Sequence, residues 1–205
     1  MAKIKICGLK SLDDICYVNE AGIDFAGFIF ASKSKRCIDK KLAQCMKQAL
    51  NKDIKSVGVF VNEEINIIKD IAEQKIIDLI QLHGNETNEY IKELHIETNL
   101  PVIKAFKADE KLNKNMENTF ADYVLIDSND GNKFGGTGKT FDYKIIPKTN
   151  KLIFLAGGLN ANNIKNAIKI NPYCFDINSG VEINGKKNKN KILEIVKIIR
   201  NYVTL

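Results

Sequence analysis

Short apolar runs recur along the chain and predict eight β-strands, each followed by a segment with apolar residues at helical spacing. The run at 25–30 is almost continuously apolar, which is typical of a strand buried on both faces. The predicted strands cover residues 3–7, 24–30, 57–61, 78–82, 102–106, 124–126, 152–156 and 174–177. The helical spacing is clearest near the end of the chain, at Ile192, Ile195, Val196, Ile199 and Val203.

Eight strand-then-helix units of this kind can close into a barrel or lie open as a doubly wound parallel sheet. Closure is favoured because the count is eight and because no dinucleotide-binding fingerprint follows the first strand. No repeat of fixed period, low-complexity tract or linker divides the chain. The sequence therefore predicts an α/β protein, a single-domain (β/α)8 TIM barrel over residues 1–205.

Polar residues mark the expected starts of several helices. Residues 11–14 (Ser-Leu-Asp-Asp) resemble a capping box with Asp in place of Glu. The helix there is predicted to have one apolar stripe, formed by Leu12, Ile15 and Cys16. Asp39 and Asn160 are predicted to cap two later helices.

The charge pattern bears on the class of partner. The net charge is +6, and it arises mostly from Lys dispersed along the chain, whereas nucleic-acid binders usually concentrate their charge. The densest basic run, 186–191, lies between two apolar segments and is predicted to be a solvated connection. We therefore expect no nucleic-acid partner, and a basic chain is suited to an anionic small molecule.

The cysteine pattern excludes two further classes. The five cysteines are odd in number, include no Cys-x-x-Cys and are accompanied by only two histidines, which excludes a disulfide framework and a zinc site. The N-terminus leads directly into a strand rather than a signal peptide, and no apolar run approaches the roughly 18 residues of a membrane span. A cytoplasmic protein without a membrane partner is predicted.

Residues that could act in catalysis or binding lie at or just beyond the predicted strand ends. These ends converge on one mouth of a (β/α)8 barrel. A thiol, a guanidinium, an imidazole, a carboxylate and two glycine-bearing turns form a coherent set for an anionic, phosphorylated substrate. These residues are Cys7, Arg36, His83, Asp127, Gly157 with Gly158, and Ser179 with Gly180.

The stretch after the sixth strand combines an acid with a glycine-rich loop. An apolar run ends in Asp127, and Gly-Gly-Thr-Gly-Lys-Thr follows at 135–140, before a short predicted helix at 141–146. A P-loop would need a glycine where Lys133 stands, so that motif is not met. Better phosphate candidates are the turns after strands seven and eight, where backbone N–H groups near helix N-termini can hold an anion.

Each candidate also has a structural alternative. Cys7 could be only a small buried residue, and Asp127 could merely brace its loop through side-chain hydrogen bonds. Arg36 could be a solvated charge in a basic loop, and His83 could be structural. The remaining cysteines are assigned to packing or to chance.

Eight short blocks, in order along nearly the whole chain, resemble phosphoribosylanthranilate isomerase. The first four are Lys5-Ile6-Cys7-Gly8-Leu9, Gly27-Phe28-Ile29-Phe30 with Ser32 to Arg36, Val57-Gly58-Val59-Phe60-Val61-Asn62 and Gln81-Leu82-His83-Gly84. The others are Leu125-Ile126-Asp127, Gly135-Gly136-Thr137-Gly138-Lys139-Thr140-Phe141-Asp142, Leu155-Ala156-Gly157-Gly158-Leu159 and Ser179-Gly180-Val181-Glu182. One departure is Asn178, where the family commonly has Ser.

The resemblance implies a (β/α)8 barrel acting in tryptophan biosynthesis without cofactor or metal. The implied reaction is the Amadori rearrangement of N-(5-phosphoribosyl)anthranilate to 1-(2-carboxyphenylamino)-1-deoxyribulose 5-phosphate. It also implies Cys7 as general base, Asp127 as general acid and Arg36 as the partner of the anthranilate carboxylate. The glycine turns, with Ser179, would bind phosphate, and His83 is a further candidate for binding substrate.

These roles require a protonated carboxyl and a thiolate in one site. Since free Cys has a pKa of about 8.5, positive surroundings are expected to lower the pKa of Cys7. Alternatives are another phosphate-sugar barrel enzyme, such as indole-glycerol-phosphate synthase or a pentose-phosphate epimerase, and a non-catalytic barrel that binds a phosphorylated ligand. The sequence leaves open a monomer or a homodimer.

Overall fold

A computed structural model of the protein describes residues 2–108, 112–127, 146 and 149–202. Eight parallel strands form a closed barrel in chain order, and β8 pairs back onto β1. The strands are β1 (Lys3–Cys7), β2 (Phe25–Ile29), β3 (Lys55–Phe60), β4 (Leu79–Leu82), β5 (Val102–Lys107), β6 (Tyr123–Asp127), β7 (Leu152–Ala156) and β8 (Cys174–Ile177). The predicted (β/α)8 barrel is confirmed.

Helices alternate with the strands and surround the barrel. They are α1 (Leu12–Ala21), α2 (Lys40–Ala49), α3 (Ile65–Glu73), α4 (Asn88–Thr98), α5 (Leu112–Asn118), α6 (Ile164–Ile168) and α7 (Lys189–Tyr202). The helix predicted at 141–146 and the glycine-rich loop before it lie outside the described residues, apart from the single position 146. None of the described helices has the length and apolar character needed to cross a bilayer.

Two of the three predicted caps are correct. Ser11 Oγ accepts a hydrogen bond from the Asp14 backbone N–H, and Asp39 Oδ1 accepts one from Leu42. The prediction for Asn160 was wrong: its side-chain oxygen accepts from the backbone N–H of Asn162 within a turn, and α6 begins after Asn163. A local side-chain turn replaces the cap there.

The stripe predicted for α1 was correct for Ile15 but wrong for Leu12 and Cys16. Leu12 is 49% exposed, and Cys16 is exposed as well. Ile15 faces the barrel as predicted, and the second buried apolar residue of this face is Val18, three residues further on. Leu12 and Cys16 lie to one side of that face.

Apolar side chains fill both faces of the barrel wall. Phe25 and Phe154 belong to the cluster inside the barrel, whereas Phe28 belongs to the larger cluster between the strands and the helices. This follows from the alternation of side chains along a strand. The same alternation places Lys5 and Cys7 on the interior face of β1, which brings the strand-end residues into one mouth.

A short hairpin follows β8. Its strands, β9 (Glu182–Ile183) and β10 (Lys186–Lys187), are joined by Asn184 and Gly185, both with positive φ, as a tight two-residue hairpin turn requires. The prediction that 186–191 is a solvated connection was wrong. Lys187 is buried against Glu182, and α7 begins at Lys189, because the chain folds back over the barrel mouth.

Candidate active site

A cavity of about 310 Å³ lies at the C-terminal ends of the strands, within the usual size range of small-molecule sites. Seven of the eight residues predicted from the sequence line it together: Cys7, Arg36, His83, Asp127, Gly157, Gly158 and Ser179. Barrel closure therefore brings together residues that are up to 172 positions apart in the chain. Gly180, the eighth, has a different role.

Cys7 lies at the end of β1 and is 5% exposed, packed against Ile29 and Val59. Gly27 on the neighbouring strand leaves room for it, since a Cβ at Gly27 would lie 2.8 Å from the Cys7 sulfur. Burial raises the pKa of the Cys7 thiol, although Lys5 and Lys187 act in the opposite direction. The positive surroundings expected from the sequence are present, but the expected lowering of the thiol pKa is contradicted because desolvation is the larger effect.

Below Cys7, an ion pair between neighbouring strands lies inside the barrel. Lys5 is fully buried, and its Nζ donates hydrogen bonds of 2.8 Å to Asp176 Oδ2 and 2.8 Å to Gln81 Oε1. Burial by itself would lower the pKa of Lys5, but the Asp176 carboxylate and Cys7 outweigh it and hold the pKa above its usual value. The ammonium therefore stays charged inside the barrel.

This ammonium also determines the orientation of His83. Because Lys5 can only donate, Gln81 turns its oxygen to Lys5 and its amide N–H₂ to His83 Nδ1, 3.1 Å away. Nδ1 then accepts, so the neutral imidazole carries its proton on Nε2. His83 Nε2 lies 3.5 Å from Asp127 Oδ2, so an N–H faces the carboxylate.

Arg36 and Glu182 belong to a second network of charged hydrogen bonds, at the mouth of the barrel. The Nε and Nη2 atoms of Arg36 each donate a 2.7 Å hydrogen bond to one oxygen of Glu182. Lys187 donates to Glu182 Oε1 at 2.7 Å and to both oxygens of Asn178 at 2.9 Å. Burial by itself would raise the pKa of Glu182, but the hydrogen bonds from Arg36 and Lys187 lower it to about 2.

Two backbone turns, one after β7 and one after β8, form a further part of the mouth. Gly157 and Gly158, directly after β7, have φ of 102° and 63°, conformations that favour glycine. Ser179 opens a single turn of 3-10 helix that ends at Val181. Gly180 is not among the cavity-lining residues; a Cβ there would lie 1.9 Å from the Leu159 carbonyl oxygen. Its missing side chain lets the two turns pack together.

Among the described residues, no three His, Cys, Asp or Glu side chains are grouped so as to hold a metal ion. The cavity instead offers a thiol, a carboxylate, a fixed guanidinium and glycine turns. Such a set can exchange protons with a substrate and bind anionic groups.

Comparison with known proteins decides the family. The family profile of N-(5'-phosphoribosyl)anthranilate (PRA) isomerase matches residues 4–198. The chain belongs to the PRA isomerase family. A PRA isomerase of Endomicrobium trichonymphae is 47% identical over 202 residues, covering 98% of this chain and all of the relative. The resemblance seen in the eight sequence blocks is thereby confirmed.

Solved structures of PRA isomerases share the fold over the whole chain. The Thermotoga maritima enzyme is 34% identical with a TM-score of 0.87, covering 98% of this chain and 100% of that one. A PRA isomerase in complex with reduced 1-(o-carboxyphenylamino)-1-deoxyribulose 5-phosphate is 31% identical with a TM-score of 0.81, at the same coverage.

Sequence reasoning missed four residues around the PRA isomerase cavity. Strand alternation could have identified Lys5 and Asp176. Lys5 lies two residues before Cys7, and Asp176 lies two residues before Asn178, so each faces the same side of its strand as a residue at the barrel mouth. Glu182 and Lys187 had no comparable signal, since their pairing depends on the hairpin after β8.

Proposed function

We infer that the protein is a PRA isomerase that catalyses the Amadori rearrangement of N-(5-phosphoribosyl)anthranilate in tryptophan biosynthesis, and we propose that Cys7 and Asp127 carry the proton transfers. The family match supports the reaction. The observation that carries the acid–base proposal is that the thiol and the carboxylate line the same cavity, although they come from β1 and β6.

In the first step, Asp127 as a neutral carboxyl donates its proton to the furanose ring oxygen. The bond from that oxygen to C1′ breaks as the anilino nitrogen lone pair forms a C1′=N bond, which gives an iminium. Asp127 is 25% exposed, so its carboxyl group can exchange protons with solvent between turnovers. We propose that His83 binds the substrate beside this carboxyl.

In the second step, the Cys7 thiolate removes the C2′ hydrogen, which the iminium acidifies. The electron pair of that C–H bond forms the C1′=C2′ bond of an enolamine, and the nitrogen becomes neutral. The ketose forms when the C2′ hydroxyl loses a proton and C1′ gains one. Cys7 is then a thiol and Asp127 a carboxylate, so one proton transfer to the carboxylate restores the starting state.

The remaining residues are proposed to bind the two anionic ends of the substrate. Arg36 lines the cavity and already holds Glu182 through Nε and Nη2, which leaves Nη1 without a hydrogen bond in the described part of the chain. The Nη1 side would bind the anthranilate carboxylate. Gly157, Gly158, Ser179 and Gly180 would form the phosphate site, with backbone N–H groups as donors.

Purified protein supplied with N-(5-phosphoribosyl)anthranilate, generated in situ, tests this function. We expect rapid loss of the substrate's fluorescence and formation of the carboxyphenylamino-deoxyribulose phosphate. Binding of the phosphosugar without turnover would contradict the isomerase assignment.

A further inference from the structure

Lys5 is a charged residue at a position where its desolvation is unfavourable. It is fully buried in the barrel interior, two residues before Cys7 on the same face of β1. Moving an ammonium out of water costs several kcal/mol of free energy unless partners compensate. A hydrophobic residue would fill the same space without that desolvation cost. A buried lysine at this point therefore needs a reason beyond packing.

The Lys5 ammonium is held from two sides. Asp176 lies on β8, directly paired with Lys5 in the barrel register, and Gln81 lies on β4, across the interior. Both donor–acceptor distances are 2.8 Å. The side chain therefore spans the barrel and cannot move far from its place below the mouth.

Four charged groups act on the Cys7 thiol. Lys5 from β1, Lys187 from β10 and Arg36 from the loop after β2 are positive, whereas Asp176 from β8 is negative. After burial, Lys5 has the largest influence on the thiol, and it lies on the same interior face of β1, two residues before Cys7. Each of these cations is also paired with a carboxylate, Arg36 and Lys187 with Glu182 and Lys5 with Asp176. Lys5 is the one that shares the strand and the interior face of Cys7.

We propose that Lys5 is a positioning residue for the isomerisation: its buried ammonium, fixed by Asp176 and Gln81, stabilises the thiolate form of Cys7. The proposal rests on the proposed role of Cys7 as base. Asp176 keeps Lys5 protonated. Gln81 accepts a hydrogen bond from Lys5 and donates one to His83, which faces Asp127. One buried charge thereby supports the groups proposed for both proton transfers.

The test measures the reactivity of Cys7 directly. The exposed Cys16, Cys37 and Cys45 are first replaced by Ser, so that Cys7 is the accessible thiol, and Cys7→Ser in that background gives the residual labelling. The rate of alkylation by iodoacetamide is then followed against pH, since only the thiolate reacts. Lys5→Met is compared with the parent protein.

We expect the midpoint of the alkylation profile to move to higher pH in Lys5→Met. Below the midpoint, alkylation should slow by about tenfold, as expected for removing a neighbouring opposite charge. Lys5→Met leaves the Asp176 carboxylate buried and unpaired, which could destabilise the fold. The double variant Lys5→Met/Asp176→Asn removes both charges and is therefore measured as well. Its midpoint should rise too, but by less, because Asp176 opposes Lys5 at the thiol.

Lys104→Met is the matched control. Lys104 is 5% exposed and pairs with Glu86 at 2.7 Å, but it does not act on Cys7. It should lower stability without moving the alkylation midpoint. An unchanged midpoint in the folded Lys5 variants, or an equal shift in Lys104→Met, would overturn the proposal. Because labelling needs no turnover, failure of the isomerase assay would leave this result readable.

Discussion

Arg36 and Glu182 meet in a two-pronged ion pair across the mouth of the barrel, with both N···O distances at 2.7 Å. Arg36 comes from the loop after β2, and Glu182 from the hairpin after β8, so the pair bridges the two strands that flank Cys7. The guanidinium is 27% exposed, and Glu182 is only 7% exposed. The pair therefore presents a fixed, partly accessible cation to the cavity.

Arg36→Lys should raise KM for N-(5-phosphoribosyl)anthranilate more than it lowers kcat. An ammonium cannot grip Glu182 and a substrate carboxylate at once in planar geometry. Steady-state kinetics by fluorescence would measure both constants. An unchanged KM would remove Arg36 from the carboxylate site.

Glu182→Gln should also raise KM, by about tenfold, while kcat changes less. An amide leaves Arg36 with one good acceptor rather than two, so the guanidinium loses its fixed orientation. Glu20→Gln is the control, because Glu20 pairs with Lys189 on the exposed surface, where ion pairs contribute little. Equal kinetics for the two variants would contradict the positioning role of Glu182.

The same pair predicts part of the acid sensitivity of the fold. The pKa of Glu182 falls from 4.5 to about 2 on folding, so its contribution to the free energy of unfolding is complete above pH 4.5 and is lost as the pH falls toward 2. Urea unfolding across that range should show a steeper loss of stability in the wild type than in Glu182→Gln, which has no carboxyl to titrate. Parallel losses would contradict the assigned pKa.

Gly180→Ala should disturb the proposed phosphate site. Its Cβ would meet the Leu159 carbonyl oxygen at 1.9 Å, a backbone contact that no rotamer can relieve, so we expect a loss of about 3 kcal/mol and a higher KM. Gly185→Ala is the control. It has a φ of 73° and open space around it, so it should cost about 1 kcal/mol from backbone strain and leave KM unchanged. A KM for Gly180→Ala equal to that of the wild type would contradict the assignment.

The sequence was sufficient for the barrel and for the strand-end residues. Apolar runs that stop at Cys7 and Asp127 predict both the strands and their order, and parallel closure then brings their ends together. The burial of Lys5 could not be predicted, because lysines that alternate with isoleucines are typical of a strand with one face in solvent. Closure of the barrel turns the face that carries Lys5 toward the interior.

The Arg36–Glu182–Lys187 network could not be predicted for a different reason. Its members meet only because a two-residue turn at Asn184 and Gly185 folds the hairpin back over the mouth. A run of lysines gives no indication that one of them is buried, since burial depends on a carboxylate brought by another strand.

Comparison of wild type with Cys7→Ala and Asp127→Asn shows whether Cys7 and Asp127 together perform the isomerisation. The assay follows loss of N-(5-phosphoribosyl)anthranilate fluorescence, with binding of a reduced product analogue measured in parallel. Each general acid–base step contributes roughly 10²- to 10⁴-fold, so turnover should fall by at least about 100-fold in both variants while the analogue still binds. Turnover near the wild-type rate in either folded variant would show that the isomerisation does not depend on both residues.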